Sequence, residues 1–388
     1  MLGLALPVSC LAHVSLNLPT PRNGLAGVSA AGQCTGGECF WFSQGCQPGC
    51  ANCTDGFKND GNCDTEMEPT LPAKAKYRTY KDIHGYDWTK HNPWRSPGHA
   101  PIFSPCGLAG GGLTNHPENG ATARQTGYSQ GFDALGLPSA PVVEWAQGSE
   151  QEVGWSITAN HGGGLCRLRR VLSSPPPPSP AQPHPTPHPF LTPYSPPYSH
   201  TLPGGYAYRL CAKSASRVDE ACFQAGHLEF VGTESWIARE GGTKRTAISA
   251  TRVSTGTHPA ASTWTKNPIP ACDMGDGSGG VGGGFNCSGA PPQFEPPLPG
   301  LYGYGSAECF ATLGGNCTRA QEVAVLELFH FMIVDKVRVP AELPAGDYLL
   351  SFRYDAEQTP QVWANCADVT VTSQTPRLPA SSASVEAL

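Results

Sequence analysis

Two of the twelve histidines stand where they could hold a metal. His13 follows an apolar stretch, Met1 to Ala12, that ends Cys10-Leu11-Ala12. Small residues flanking that end are what signal peptidase requires, so cleavage after Ala12 is expected, with His13 as the mature N-terminus. An N-terminal histidine can offer its α-amine and a ring nitrogen to one ion. The amine titrates near pH 8, so a metal displaces its proton at about neutral pH. One more imidazole completes a three-nitrogen set, which suits copper better than hard cations. His161 is the expected partner, because Asn160-His161-Gly162-Gly163-Gly164 lets backbone pack close to a flat, open site. The plainer alternative makes His13 a residue after a leader and His161 a loop histidine.

Other groups carry less. Cys46, Cys50, Cys53 and Cys63 have loosely zinc-like spacing, but disulfides are the stronger reading in a secreted chain. His99, in Pro97-Gly98-His99-Ala100, is a rival copper ligand. His91, His116 and His330 have no supporting context, and His184, His188 and His200 lie in a Pro-rich stretch. No Gly-x-Ser-x-Gly elbow supports a serine hydrolase. The glycines from Gly275 to Gly284 lack the lysine and strand–helix setting of a phosphate loop.

The elements that must position such residues are strands. Charged residues make up only 14% of the 388, while Gly (46) and Pro (39) abound, which argues for short strands and long loops over a helical bundle. A net charge of −6 without a basic stripe argues against nucleic acid, and no apolar run is long enough for a membrane helix. Sixteen cysteines and the sequons at Asn52, Asn286 and Asn316 point to a secreted, oxidising setting. Strands are expected at 142–145, 152–157, within the apolar run Val323–Val334, at 346–354 and at 362–371. The expected fold is all-β, an immunoglobulin/fibronectin-III-like antiparallel β-sandwich with long disulfide-stapled loops.

The composition breaks between 165 and 205, where prolines dominate and no amphipathic period survives. Joining the flanks gives Asn-His-Gly-Gly-Gly-Tyr-Ala-Tyr-Arg-Leu-Cys, a compact loop-to-strand sequence. The stretch therefore reads as an insertion within one domain spanning 13–375, either a surface loop or an unspliced intron. Leaving out Cys10 and Cys166 reduces sixteen cysteines to fourteen, an even number suited to pairing. Residues 376–388 read as a disordered tail.

Several blocks, taken together, resemble one family. The start His13-Val-Ser-Leu-Asn-Leu-Pro19-Thr-Pro-Arg22 is similar to the opening of lytic polysaccharide monooxygenases and chitin-binding type-4 domains. The joined segment around His161, Cys39 to Cys53, and Asn92-Pro-Trp-Arg-Ser-Pro-Gly98 look like further blocks of secreted algal or oomycete members. Gln361-Val-Trp363-Ala-Asn-Cys366-Ala-Asp368 has the spacing of their final strand. The resemblance implies copper held by His13 and His161, with Gln361 beside it and Trp363 at the axial position, where Tyr or Phe is usual. It implies a secreted, monomeric oxidoreductase that cleaves chitin, cellulose or a related wall polymer with an external electron donor. The rival is a non-catalytic carbohydrate-binding or cell-wall protein on the same fold. A copper-binding protein without polysaccharide activity is a third reading.

Overall fold

The computed structural model describes residues 13–24, 40–44, 97–98, 102–112, 123–159, 205–239, 242–255, 257–270, 295–299, 301, 331–356 and 361–373. In chain order the strands are β1 (His13–Leu18), β2 (Trp41–Gln44), β3 (Leu108–Ala109), β4 (Val143–Ala146), β5 (Glu150–Ala159) and β6 (Gly205–Ala212). A short helix, α1 (Glu220–Ala225), precedes β7 (Glu229–Phe230), β8 (Glu234–Arg239), β9 (Lys244–Ser249), β10 (Arg252–Val253) and β11 (Trp264–Thr265). Three long strands finish the order: β12 (Phe331–Arg338), β13 (Gly346–Asp355) and β14 (Gln361–Thr372).

These strands make two sheets. The first runs β1-β5-β12-β8-β9 with β7 also beside β12; the second runs β10-β11-β6-β13-β14-β2-β3 with β4 also beside β14. Pairings are antiparallel except that of β4 with β14, which is parallel. Alternation decides which side faces in. Val153, Trp155 and Ile157 of β5 meet Leu350, Phe352 and Tyr354 of β13 in one core. Trp155 sits at its centre, its ring 4.8 Å from Tyr206 and 5.6 Å from Phe352 across the sandwich.

The second sheet is covered on its outer side too. There Trp41, Leu349 and Phe223 gather around two disulfides, Cys106–Cys366 and Cys211–Cys222. The second disulfide fixes α1 to β6. That double burial is why β13 and β14 carry so few exposed residues.

The sandwich is the one expected, and β4, β5, β13 and β14 fall on their expected segments within a few residues. Phe331–Val334 opens β12, while the rest of the apolar run, 323–330, lies outside the described residues. One boundary differs: Gly205, expected to end the insertion, is the first residue of β6 and pairs with Asp355. Its φ of +143° and its close approach to Thr265 favour glycine there. The leader, the rest of the insertion and the tail lie outside the described residues.

Candidate functional site

His13 opens β1, and its backbone pairs with Ala159 at the far end of β5. The register shifts between His13 and Val14, so the first residue stands off the regular ladder. His161 is two residues beyond Ala159 in the chain and lies outside the described residues, as does the side chain of His13.

β1 also lies along β14, bridging the two sheets. The Leu16 amide donates to Asn365 Oδ1 at 2.9 Å, and Pro21 pairs with Ala367. The Gln147 amide donates to the Thr372 carbonyl, so β5 begins beside the end of β14, and Trp155 packs on Tyr354, the partner of Trp363; Ala159, its partner His13 and Gln361 therefore fall at one end of the sandwich. Gln361 is only 1% exposed, pairs with Gln44 of β2, and its carbonyl accepts from the Ala356 amide at 3.1 Å. Two residues on, Trp363 is fully buried between the sheets and stacks on Phe42 with centroids 4.4 Å apart. The strands thus gather His13, Gln361 and the exit of β5 at one end by backbone placement.

Arg22 locks this arrangement. Its Nε and Nη2 donate to Asp368 Oδ2 and Oδ1 at 2.9 and 2.7 Å, and Lys213 Nζ reaches Oδ1 at 2.6 Å. Burial alone would raise the Asp368 carboxyl, but Arg22, Lys213 and the Ala140 amide outweigh it and hold the pKa at about 2. Arg22 and Asp368 fall in separate blocks of the sequence that nothing local joins, because residues 346 apart share no pattern.

A second polar arrangement at the same end was also missed. Arg353 donates from Nε to Asp355 Oδ1 at 2.7 Å and from Nη2 to Oδ2 at 3.1 Å. Asp355 Oδ2 in turn accepts from the Gly98 amide at 2.9 Å, fixing the end of the Asn92–Gly98 block against β13. Gly98 has φ +89°, and a Cβ there would lie 1.9 Å from the His258 carbonyl oxygen. His99, the rival ligand, follows immediately but lies outside the described residues. Arg209 and Arg353 share Glu220 Oε1 at 2.5 and 2.8 Å, so buried cations and carboxylates balance beneath α1. The alternation Arg353-Tyr354-Asp355 was the available signal, with charges facing away from the core.

Two imidazoles and an amine, the donors expected from His13 and His161, are borderline nitrogen donors of the kind copper prefers. Trp363 offers no lone pair and is committed to the core. Among the described residues no three His, Cys, Asp or Glu side chains converge as a metal site.

No protein-family model matches the chain, and no curated protein matches it. Among solved structures, a chitin-binding domain from Burkholderia pseudomallei aligns with 93% of this chain and all of its own, at 9% identity and a TM-score of 0.27. A superposition that loose leaves the architecture to rest on the strands themselves.

Proposed function

We propose that the protein is a secreted copper-dependent monooxygenase acting on chitin, cellulose or a related wall polymer. The observation that carries this reading is the pairing of His13 with Ala159 at the end where β14 begins with Gln361. Cleavage after Ala12 would free the His13 amine, and that amine with the rings of His13 and His161 would hold the ion. Bound copper, supplied with electrons by an external donor, would bring oxidative cleavage of glycosidic bonds. Gln361 would orient the oxygen co-substrate by hydrogen bonding from its carboxamide. Trp363 would close the site from below, keeping water out of the core through its stack on Phe42. Disulfides and sequons are what favour an extracellular setting.

A second reading, a non-catalytic carbohydrate-binding or cell-wall protein on the same fold, is favoured by Trp363 standing where the resemblance expects Tyr or Phe. One experiment orders these readings. The secreted chain is sequenced from its N-terminus, titrated with Cu(II), and incubated with chitin or cellulose plus reductant. The monooxygenase reading expects a start at His13, copper binding that His161→Ala abolishes, and oxidised oligosaccharides released only with reductant. Copper binding without such products leaves a copper-binding protein. A mature chain starting elsewhere, or one that binds no copper, sinks the copper site.

A further inference from the structure

β1 is the outermost strand of the first sheet, and its ladder to β5 occupies one of its edges. Backbone groups on the other edge must find partners elsewhere or stay unpaired in the interior. At the fully buried Leu16 the partner is a side chain of the opposite sheet. Its amide donates to Asn365 Oδ1 at 2.9 Å. Asn365 stands on the inward row of β14, between Trp363 and Ala367 of the core. It is 0% exposed, and its Nδ2 has no hydrogen-bond partner among the described residues. A carboxamide in such a place is unfavourable by itself, because a buried donor goes unmet. Leucine, with the same branched shape, would fill the position without that penalty. What leucine lacks is the acceptor.

The place of that acceptor along the strands gives it a use. Leu16 is three residues from His13, and Asn365 is four residues from Gln361. A strand that begins a chain frays unless something ties it down. The ladder to β5 is weakest at this point, since its register shifts between His13 and Val14. A side chain that is to hold a metal must nevertheless be placed to within about 0.5 Å. We infer that Asn365 is a positioning residue for His13. By holding the free edge of β1 it fixes where the α-amine and ring of His13 stand relative to Gln361. It acts through β1 and supplies no ligand. The inference rests on the copper reading for what His13 does, whereas the tie itself belongs to the metal-free protein.

Two measurements on the full secreted chain test it, with Asn365→Leu as the variant that removes the acceptor. In metal-free protein, amide exchange across 14–17 is expected to quicken about tenfold in Asn365→Leu. Isothermal titration with Cu(II) is expected to show binding about tenfold weaker, with a changed electron paramagnetic resonance spectrum. Val369→Ala removes packing further along β14 without touching the tie, and is expected to leave both readouts at wild type. Thermal melting confirms folding, and Asn365→Ala, which also lacks the acceptor, replaces Asn365→Leu if that variant does not fold. Unchanged exchange in the Asn365 variant overturns the inference. So does copper binding with unchanged affinity and spectrum, or an equal effect from Val369→Ala. Wild-type protein that binds no copper, while exchange still quickens on substitution, sinks the copper site and upholds Asn365 as the anchor of the strand that begins with His13.

Discussion

Arg22 and Asp368 meet on the outer side of the second sheet, joined by two hydrogen bonds of 2.9 and 2.7 Å. Arg22 follows β1 and Asp368 belongs to β14, so the pair holds together the two strands that begin the candidate site. Both side chains are nearly or fully buried, so removing Arg22 leaves the buried carboxylate with the partly exposed Lys213 as its remaining ion-pair partner. Arg22→Ala is expected to cost about 3–5 kcal/mol, read from urea or guanidinium unfolding. A loss below about 1 kcal/mol would show that the pair is no lock. The carboxyl titrates lower folded than unfolded, so the unfolded chain binds the extra proton between about pH 4 and pH 2. The pair's contribution is therefore full above that window and is lost as pH falls through it.

His227 sets a second acid limit, at higher pH. Burial, then Arg209 and Arg353, push its pKa down to about 3, and neither ring nitrogen has a hydrogen-bond partner among the described residues. The native protein therefore refuses a proton that the unfolded chain accepts below about pH 6.5. Stability should be flat above that value and fall by up to about 1.4 kcal/mol per pH unit below it. His227→Gln should flatten the curve between about pH 6.5 and 4, where Asp368 does not yet titrate. A wild-type curve already flat there would refute this.

Trp363 is expected to matter first as packing. Trp363→Ala should lower stability by about 3–5 kcal/mol, because the indole fills the space between Phe42 and the opposite sheet. Trp363→Phe should retain most of that stability. If the copper reading is right, Trp363→Phe also keeps Cu(II) affinity, whereas His161→Ala loses it; isothermal titration separates the two effects.

Gly98 tests the other arrangement at this end. Its φ of +89° and the 1.9 Å approach leave no room for a methyl group. Gly98→Ala should cost about 1–3 kcal/mol, visible in thermal unfolding, with the two sheets otherwise intact by circular dichroism. An unchanged melting temperature would mean that the hydrogen bond from Gly98 to Asp355 is dispensable.

The sequence made the central strands readable and the edges and cross-links opaque. β5 alternates cleanly because one face meets the core, and β13 and β14 stand out by their density of apolar residues. β9 buries only Ile248 and shows no such period. Asp335 is a sharper case. It points into the sandwich, where Tyr206 Oη, Ser235 Oγ and Arg252 Nη1 reach it at 2.9, 2.5 and 3.0 Å. Its partners come from three other strands, so no local window marks it as an interior residue. Cys106–Cys366, whose ends are 260 residues apart, was equally invisible as a pair. Of the candidate site, residue types and order along the chain were readable. The common end shared by His13 and Gln361 follows only from how β5, with β1 paired to it, lies across β14.

β5 leaves the sandwich at Ala159 and β6 re-enters at Gly205, beside the Tyr206 that packs on Trp155. Both strands are held by their own neighbours, β1 and β12 on one side of the gap and β11 and β13 on the other. The stretch between them is thus a cassette: its length can change across generations while the register on either side stays fixed. A chain from which residues 165–204 are deleted should fold with the same strand pairing, and evolution could have put the proline tract in, or taken it out, without rebuilding the scaffold.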